Sequence, residues 1–108
     1  MSFLMHLYYT GQNGNARRFA EDMEQSGLAD AIRHTDGCLR YEYFYPAADP
    51  ETVLLIDQWR DEESLVNHHQ SERMAKIAAL RDKYDLHMRV ERFVPAALPE
   101  ENGAFIRK

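Results

Sequence analysis

Residues 53–69 read VLLIDQWRDEESLVNHH. The apolar first half has the length of a buried strand and ends at Trp59, the only tryptophan of the chain. The acidic residues that follow are typical of a helix start, and this helix would carry the adjacent His68 and His69 about two and a half turns later. Because an aromatic ring, two imidazoles and a strand-to-helix turn coincide here, this corner is the first candidate for a functional site.

The rest of the chain supplies three more strands and a second helical region. The helical region after the first strand is expected to start with Asn15 as its N-cap, to break at Ser26-Gly27 and to continue to about Arg33. The helical region after Trp59 is expected to kink near Ser71. Alternating and β-forming residues place the four predicted strands at residues 3–9, 39–45, 52–60 and 86–94.

The predicted element order is β-α-β-β-α-β. This is the ferredoxin-like α+β arrangement, in which helices cover one face of a four-stranded antiparallel sheet. The other face would present apolar side chains such as those of Leu4, Tyr8, Phe44 and Ile56. A patch of that size is unusual on a monomer, so we expect a homodimer whose two sheets pack face to face.

Length and charge narrow the possible functions. The 108 residues suffice for one domain with one core, and the net charge of −5 with dispersed Lys and Arg argues against nucleic acid as a partner. No apolar run approaches the roughly 20 residues of a membrane span, and no secretory signal pattern is present, so a cytoplasmic protein without a membrane partner is expected. The single Cys38 excludes an internal disulfide and a multi-thiolate metal site.

Several motifs carry a resemblance to a known family. They are DGCLRYE at residues 36–42, LIDQWRDEESL at residues 55–65, SERM at residues 71–74, and a histidine nine residues after the tryptophan. The pattern resembles the antibiotic biosynthesis monooxygenase family of dimeric α+β barrels. The resemblance implies a domain at residues 1–95 and a C-terminal tail at residues 96–108. For the apolar pair Phe105-Ile106 in that tail, docking on a partner subunit and a frayed end both remain open.

The resemblance leaves the reaction open. The family includes quinol-type monooxygenases that work without metal or flavin, haem-degrading members, an isomerase of a phosphorylated signalling sugar and proteins with no assigned activity. Haem-degrading relatives use an asparagine in the first strand and a tryptophan on a helix. Residues 3–9 contain no asparagine and Trp59 lies at a strand end, so haem is not favoured. The resemblance therefore implies catalysis without a cofactor.

The predicted catalytic residues are Trp59, His68 and His69. Trp59 is either a stacking wall for a planar aromatic substrate or a core residue. The two histidines are separated by about 100° of helical rotation, so only one is expected to face inward. The inward one would act as a general base near neutral pH, or form a structural hydrogen bond, and would face Trp59 across one pocket. The pair does not suit a metal, because ligands on one helix normally sit four residues apart.

The predicted substrate-binding residues lie on three strands. Tyr9, Tyr41 and Tyr43 would line a cavity and hydrogen-bond a phenolic or quinone oxygen, although aromatic rows also serve packing. His87 and Arg89 would hold an anionic group, or lie on a solvated or dimer-facing side.

Three functions follow from these residues. The first is a cofactor-independent monooxygenase of small aromatic or polyphenolic substrates. The second is an isomerase of a small phosphorylated keto-sugar that uses His87 and Arg89 as anion holders. The third is a non-enzymatic dimeric protein that binds small ligands or is associated with stress.

Overall fold

The computed structural model describes residues 1–107, with side chains described for residues 1–100 and 103–107. Its elements are β1 (Phe3–Thr10), α1 (Asn15–Gln25), α2 (Leu28–Arg33), β2 (Cys38–Phe44), β3 (Thr52–Trp59), α3 (Glu62–His69), α4 (Glu72–Lys83), β4 (His87–Phe93) and a final 3₁₀ helix (Glu100–Phe105). The predicted order and the ferredoxin-like α+β fold are confirmed. Each predicted helical region consists of two helices. Across the described chain, every helix is too short or too polar to cross a membrane.

The four strands form one antiparallel sheet in the order β2-β3-β1-β4. In the middle of the sheet, Asp57 of β3 lies opposite Met5 of β1 on one side and Tyr41 of β2 on the other. Side chains in register point to the same face of an antiparallel pair. One row of the sheet therefore aims Met5, Asp57 and Tyr41 at the helices.

The helix boundaries follow from glycine and serine. Gly14, at φ 79°, is the N-cap of α1, so the cap lies one residue before the predicted Asn15. The Asn15 side chain instead donates to the carbonyl of Tyr84 at 3.3 Å. Gly27, at φ 83°, separates α1 from α2 in a backbone conformation that glycine adopts without strain. At the predicted kink, Ser71 donates its N–H and hydroxyl to the His68 carbonyl at 3.1 and 2.7 Å, where α3 ends and α4 begins.

The core lies between the helices and one face of the sheet. Phe19 and Met23 of α1 and Ile32 of α2 are fully buried there. Apart from Thr52, the buried strand residues all belong to this face. The opposite face carries half-buried apolar side chains, as predicted. They are Leu4, Tyr8, Phe44, Leu54 and Ile56.

Candidate active site

A cavity of about 220 Å³ lies between the sheet and the helices α3 and α4. Most of its lining is apolar, and a few polar groups converge on it. The polar lining residues are Tyr9, Tyr41, Asp57, His68, His69 and Arg81. The apolar ones are Met5, Leu7, Leu55, Met74, Ile77, Met88 and Val90. An apolar cavity with a few converging polar groups is the usual form of a small-molecule site.

Asp57 is the carboxylate of this cavity. Strand alternation in β3 aims it inward between Leu55 and Trp59, and it is only 4% exposed. Its Oδ1 has no hydrogen-bond partner in the described part of the chain. Burial raises the pKa of Asp57 from 3.8 to about 7; the Trp59 indole N–H opposes the rise without reaching hydrogen-bond geometry. A carboxyl group with this pKa accepts and returns a proton near neutral pH.

The helix α3 carries His68 into the site because its first turn is anchored by a cap. Asp61 is the N-cap, and its Oδ1 accepts from the N–H and the hydroxyl of Ser64 at 2.9 and 2.6 Å. These two hydrogen bonds lower the pKa of Asp61 to about 2, and the bond from the hydroxyl has the larger effect. The cap directs Ser64, Leu65 and His68 inward, as their burial shows.

His68 is the inward histidine and His69 lies at the rim. His68 is 7% exposed, whereas His69 is exposed. Burial, followed by the nearby His69 and Arg73, lowers the pKa of His68 to about 4. His68 is therefore neutral at physiological pH and a weak proton acceptor. Its Nδ1 has no hydrogen-bond partner among the residues that the structure describes.

The sequence predicted that Trp59 and His68 would face each other across one pocket. In the structure Trp59 does not lie opposite His68. The two rings stack, with centroids 4.9 Å apart and planes inclined by 24°. Trp59 is completely buried and is absent from the cavity lining among the described residues. Of the two interpretations of Trp59, the geometry matches the core residue, which supports the imidazole from behind.

The three predicted tyrosines divide into two groups. Tyr9 and Tyr41 line the cavity, while Tyr43 is not among its described lining residues and reaches it only through Tyr41, with hydroxyl oxygens 3.1 Å apart. Burial raises the pKa of Tyr9 to about 12 and the pKa values of Tyr41 and Tyr43 well above their usual range. These phenols are protonated at neutral pH and can donate hydrogen bonds to a ligand.

His87 and Arg89 do not line this cavity, so they do not bind a substrate there; of their two predicted placements, the geometry matches the solvated or dimer-facing side. Tyr9 pairs with Met88 and Tyr8 pairs with Arg89, so alternation along β4 puts Met88 in the cavity and Arg89 on the opposite face. There, His87 and Arg89 line a separate depression of about 480 Å³. The Arg89 guanidinium lies over the Tyr8 ring at 4.1 Å.

Two charged cavity residues, Asp57 and Arg81, were missed from the sequence. Asp57 is the only charged residue in the run VLLIDQW, and strand alternation puts it on the same face as Leu55 and Trp59. A charged residue on that apolar face could have been recognised from the sequence. Arg81 follows Met74 and Ile77 at seven and four residues, on the same helical face. Across the described residues, no three His, Cys, Asp or Glu side chains converge closely enough to hold a metal ion.

The sequence profile of the family described as antibiotic biosynthesis monooxygenase matches residues 2–80. The chain belongs to the antibiotic biosynthesis monooxygenase family. No curated protein matches this family member.

Solved structures share the fold of this antibiotic biosynthesis monooxygenase family member. A protein of Pseudomonas aeruginosa is 21% identical, with a TM-score of 0.76, covering 89% of this chain and 95% of its own. A protein of Mycobacterium tuberculosis is 14% identical, with a TM-score of 0.76, and the match covers 91% of this chain and 98% of that protein. SnoaB, a cofactor-independent oxygenase of Streptomyces nogalater, is 10% identical, with a TM-score of 0.75, and the match covers 92% of this chain and 97% of SnoaB. At these identities, the likeness is one of fold.

Proposed function

We propose that the protein is a cofactor-independent monooxygenase that oxidises small quinols of one or two rings. The observation that carries the proposal is the Asp57 carboxyl group, buried in an apolar and aromatic cavity with an unpaired oxygen. Membership of the monooxygenase family supports it, as does the fold shared with SnoaB. The cavity of about 220 Å³ is smaller than the roughly 300–1,000 Å³ typical of drug-sized ligands, which favours one or two rings.

Asp57, rather than a histidine, is the proposed base. A phenolic proton has a pKa near 10, so a base of pKa about 7 is a far better acceptor than one of pKa about 4. Asp57 takes the proton of one quinol hydroxyl, while Tyr9 or Tyr41 donates a hydrogen bond to the other oxygen. Neutral His68 offers Nδ1 to the substrate, His69 borders the entrance and Trp59 holds the His68 ring in place.

The oxidation balances without a further electron source. The deprotonated quinol is electron-rich and reduces dioxygen, and a ring carbon forms a bond to one oxygen atom to give a hydroperoxide. The hydroperoxide loses water as its O–O bond breaks. One oxygen atom remains on the ring, the other leaves as water, and the quinol supplies all four electrons, so the product is a hydroxyquinone. The buried apolar walls exclude water from the reactive anion.

We predict that the wild-type protein consumes oxygen when supplied with hydroquinone or 1,4-dihydroxynaphthalene, in the presence of a metal chelator and without added flavin. The rate should rise with pH and reach half its maximum near pH 7, because only the carboxylate form of Asp57 accepts the proton. An oxygen electrode measures the rate, and mass spectrometry after reaction in ¹⁸O₂ should find one labelled atom in the product. Uptake no faster than autoxidation would contradict the proposal and would favour the non-enzymatic hypothesis.

We further propose that the protein is a homodimer joined through the uncovered sheet face. Ile56 lies near the centre of that face, opposite His6 and Glu42. Ile56→Lys should shift the mass measured by light scattering from about twice 12.7 kDa to 12.7 kDa, because a charge would be buried between the sheets. The control is Val66→Lys, at a 43% exposed position on α3. A wild-type monomer would contradict this proposal.

Two other expectations stay predictions. They are the placement of the tail at residues 96–108, either docked on the partner subunit or frayed, and a cytoplasmic location. The isomerase alternative required His87 and Arg89 beside the same pocket, and no contact in the described residues favours it.

A further inference from the structure

One end of the cavity is cationic. Arg81 lines it from the last turn of α4, where its Nη1 donates to Met88 Sδ at 3.0 Å. A thioether is a weak acceptor for a guanidinium group. Among the side chains that the structure describes, no carboxylate lies within 4.0 Å of Arg81. By contrast, Arg33 and Arg60 both pair with carboxylates.

Asp57 and Arg81 occupy different ends of the cavity. Asp57 is level with Met5, whereas Met88, the partner of Arg81, is level with Tyr9, four residues further along β1. At 3.3–3.4 Å per residue, this separation is roughly 13 Å. The pKa values agree with this separation. Arg81 is not among the groups that shift the pKa of Asp57, whereas Arg81 lowers the pKa of Tyr9 and Asp57 raises it.

The wall between the two ends is apolar. Leu7 and Leu55 face each other on neighbouring strands, and Ile77 covers them from α4. A flat ring system fits such a space, whereas a second charge in the middle would be left without a partner. The cavity therefore has the form of a slot with a proton acceptor at one end and a guanidinium group at the other.

We propose that the substrate is a hydroxylated aromatic acid, with its carboxylate on Arg81 and its reacting hydroxyl at Asp57. This inference rests on the proposed function and specifies its substrate class. A guanidinium group binds a carboxylate through two parallel hydrogen bonds, which sets orientation as well as affinity. The reverse orientation would bring the substrate carboxylate against Asp57, where like charges repel.

The test compares two binding probes that differ only in the carboxylate, 6-hydroxy-2-naphthoate and 2-naphthol. Isothermal titration calorimetry in 0.15 M salt should show the wild type binding the acid about 10- to 100-fold more tightly than the naphthol, since a hydrogen bond to a charged group contributes about 1.5–3 kcal/mol. Arg81→Met should lose this preference and bind both probes about as the wild type binds 2-naphthol. Arg81→Lys should recover part of it. The unchanged affinity for 2-naphthol also shows that the variants are folded.

The matched control is Lys76→Met, which removes one positive charge from the same helix. Lys76 lines a separate groove beside Leu28 and Leu80, so this variant should keep the wild-type preference. The proposal is overturned if the wild type binds both probes equally or does not bind the acid, if Arg81→Met keeps the preference, or if Lys76→Met loses it as well. Acid binding without oxygen uptake on any quinol would leave the Arg81 subsite standing and remove the monooxygenase.

Discussion

Asp57→Asn is expected to lower the rate of oxygen uptake with small quinols by about 10²- to 10⁴-fold, the usual contribution of a general base. Asparagine has almost the same shape but cannot accept the phenolic proton. The fall should appear in kcat with little change in KM, because the substitution removes proton transfer and leaves the apolar walls in place. Initial rates from an oxygen electrode measure it.

The same substitution should remove one contribution to the pH dependence of stability. The folded carboxyl has a pKa of about 7 against an ordinary 3.8, so the folded state binds more protons than the unfolded state between these values. The contribution of Asp57 to stability therefore falls as pH rises from about 4 to 7 and stays low above that range. The loss is about 4 kcal/mol at 1.36 kcal/mol per pKa unit. The pKa of His68, lowered from 6.5 to about 4, changes stability in the opposite sense over nearly the same range. The Asp57 contribution is therefore measured as a difference: relative to Asp57→Asn, the wild type should lose about 4 kcal/mol of stability between pH 4 and pH 8 in denaturant unfolding.

Asp82→Asn is the control, because Asp82 is exposed on α4. It should keep both the activity and the pH dependence of the wild type. Wild-type activity in Asp57→Asn would remove Asp57 as the base and return the role to His68. Wild-type pH dependence in the same variant would show that the carboxyl is not desolvated in solution.

Trp59→Ala is expected to reduce the free energy of unfolding by about 3–5 kcal/mol, the usual cost of deleting a large buried aromatic side chain. Trp59 is completely unexposed and is among the largest fully buried side chains. The substitution also removes the ring on which His68 stacks, an interaction of about 0.5–1.5 kcal/mol. Total stabilities are about 5–15 kcal/mol, so the variant should be partly unfolded at 37 °C. Urea unfolding followed by circular dichroism measures the change.

Trp59→Phe separates a structural role from a catalytic one. Phenylalanine keeps an aromatic surface against His68, so this variant should stay folded and keep most of the activity. A folded Trp59→Phe that loses about 10²-fold in activity would contradict the structural role and would restore the sequence-based prediction of a catalytic tryptophan. Val66→Ala, at an exposed position of α3, should change neither property.

Much of the fold could be predicted because its signals are local. Alternation identified the strands, and Ser26-Gly27 marked the break between α1 and α2 because Gly27 adopts a positive φ that other residues resist. The half-buried apolar face of the sheet was also visible, since a period of two assigns each side chain to a face. Helix geometry likewise showed that only one of His68 and His69 faces inward.

The cavity was less predictable because it depends on contacts between distant segments. The sequence left two placements open for His87 and Arg89, a substrate site or a solvated or dimer-facing side, and the pairing of Tyr9 with Met88 turns both away from the cavity. That register joins residues almost 80 positions apart, and a shift by one residue would have exchanged the two faces.

The sequence by itself determined the order of elements, the apolar second face of the sheet and the amphipathic pattern of the helices, because these depend on residues close together in the chain. Only the tertiary structure decided that His68 is the inward histidine, that Trp59 stacks behind it, and that Arg81 reaches the same cavity as Asp57. The physical reason is burial. The pKa of Asp57 rises and that of His68 falls because packed helices and strands remove water from both, and no local pattern specifies how much water remains.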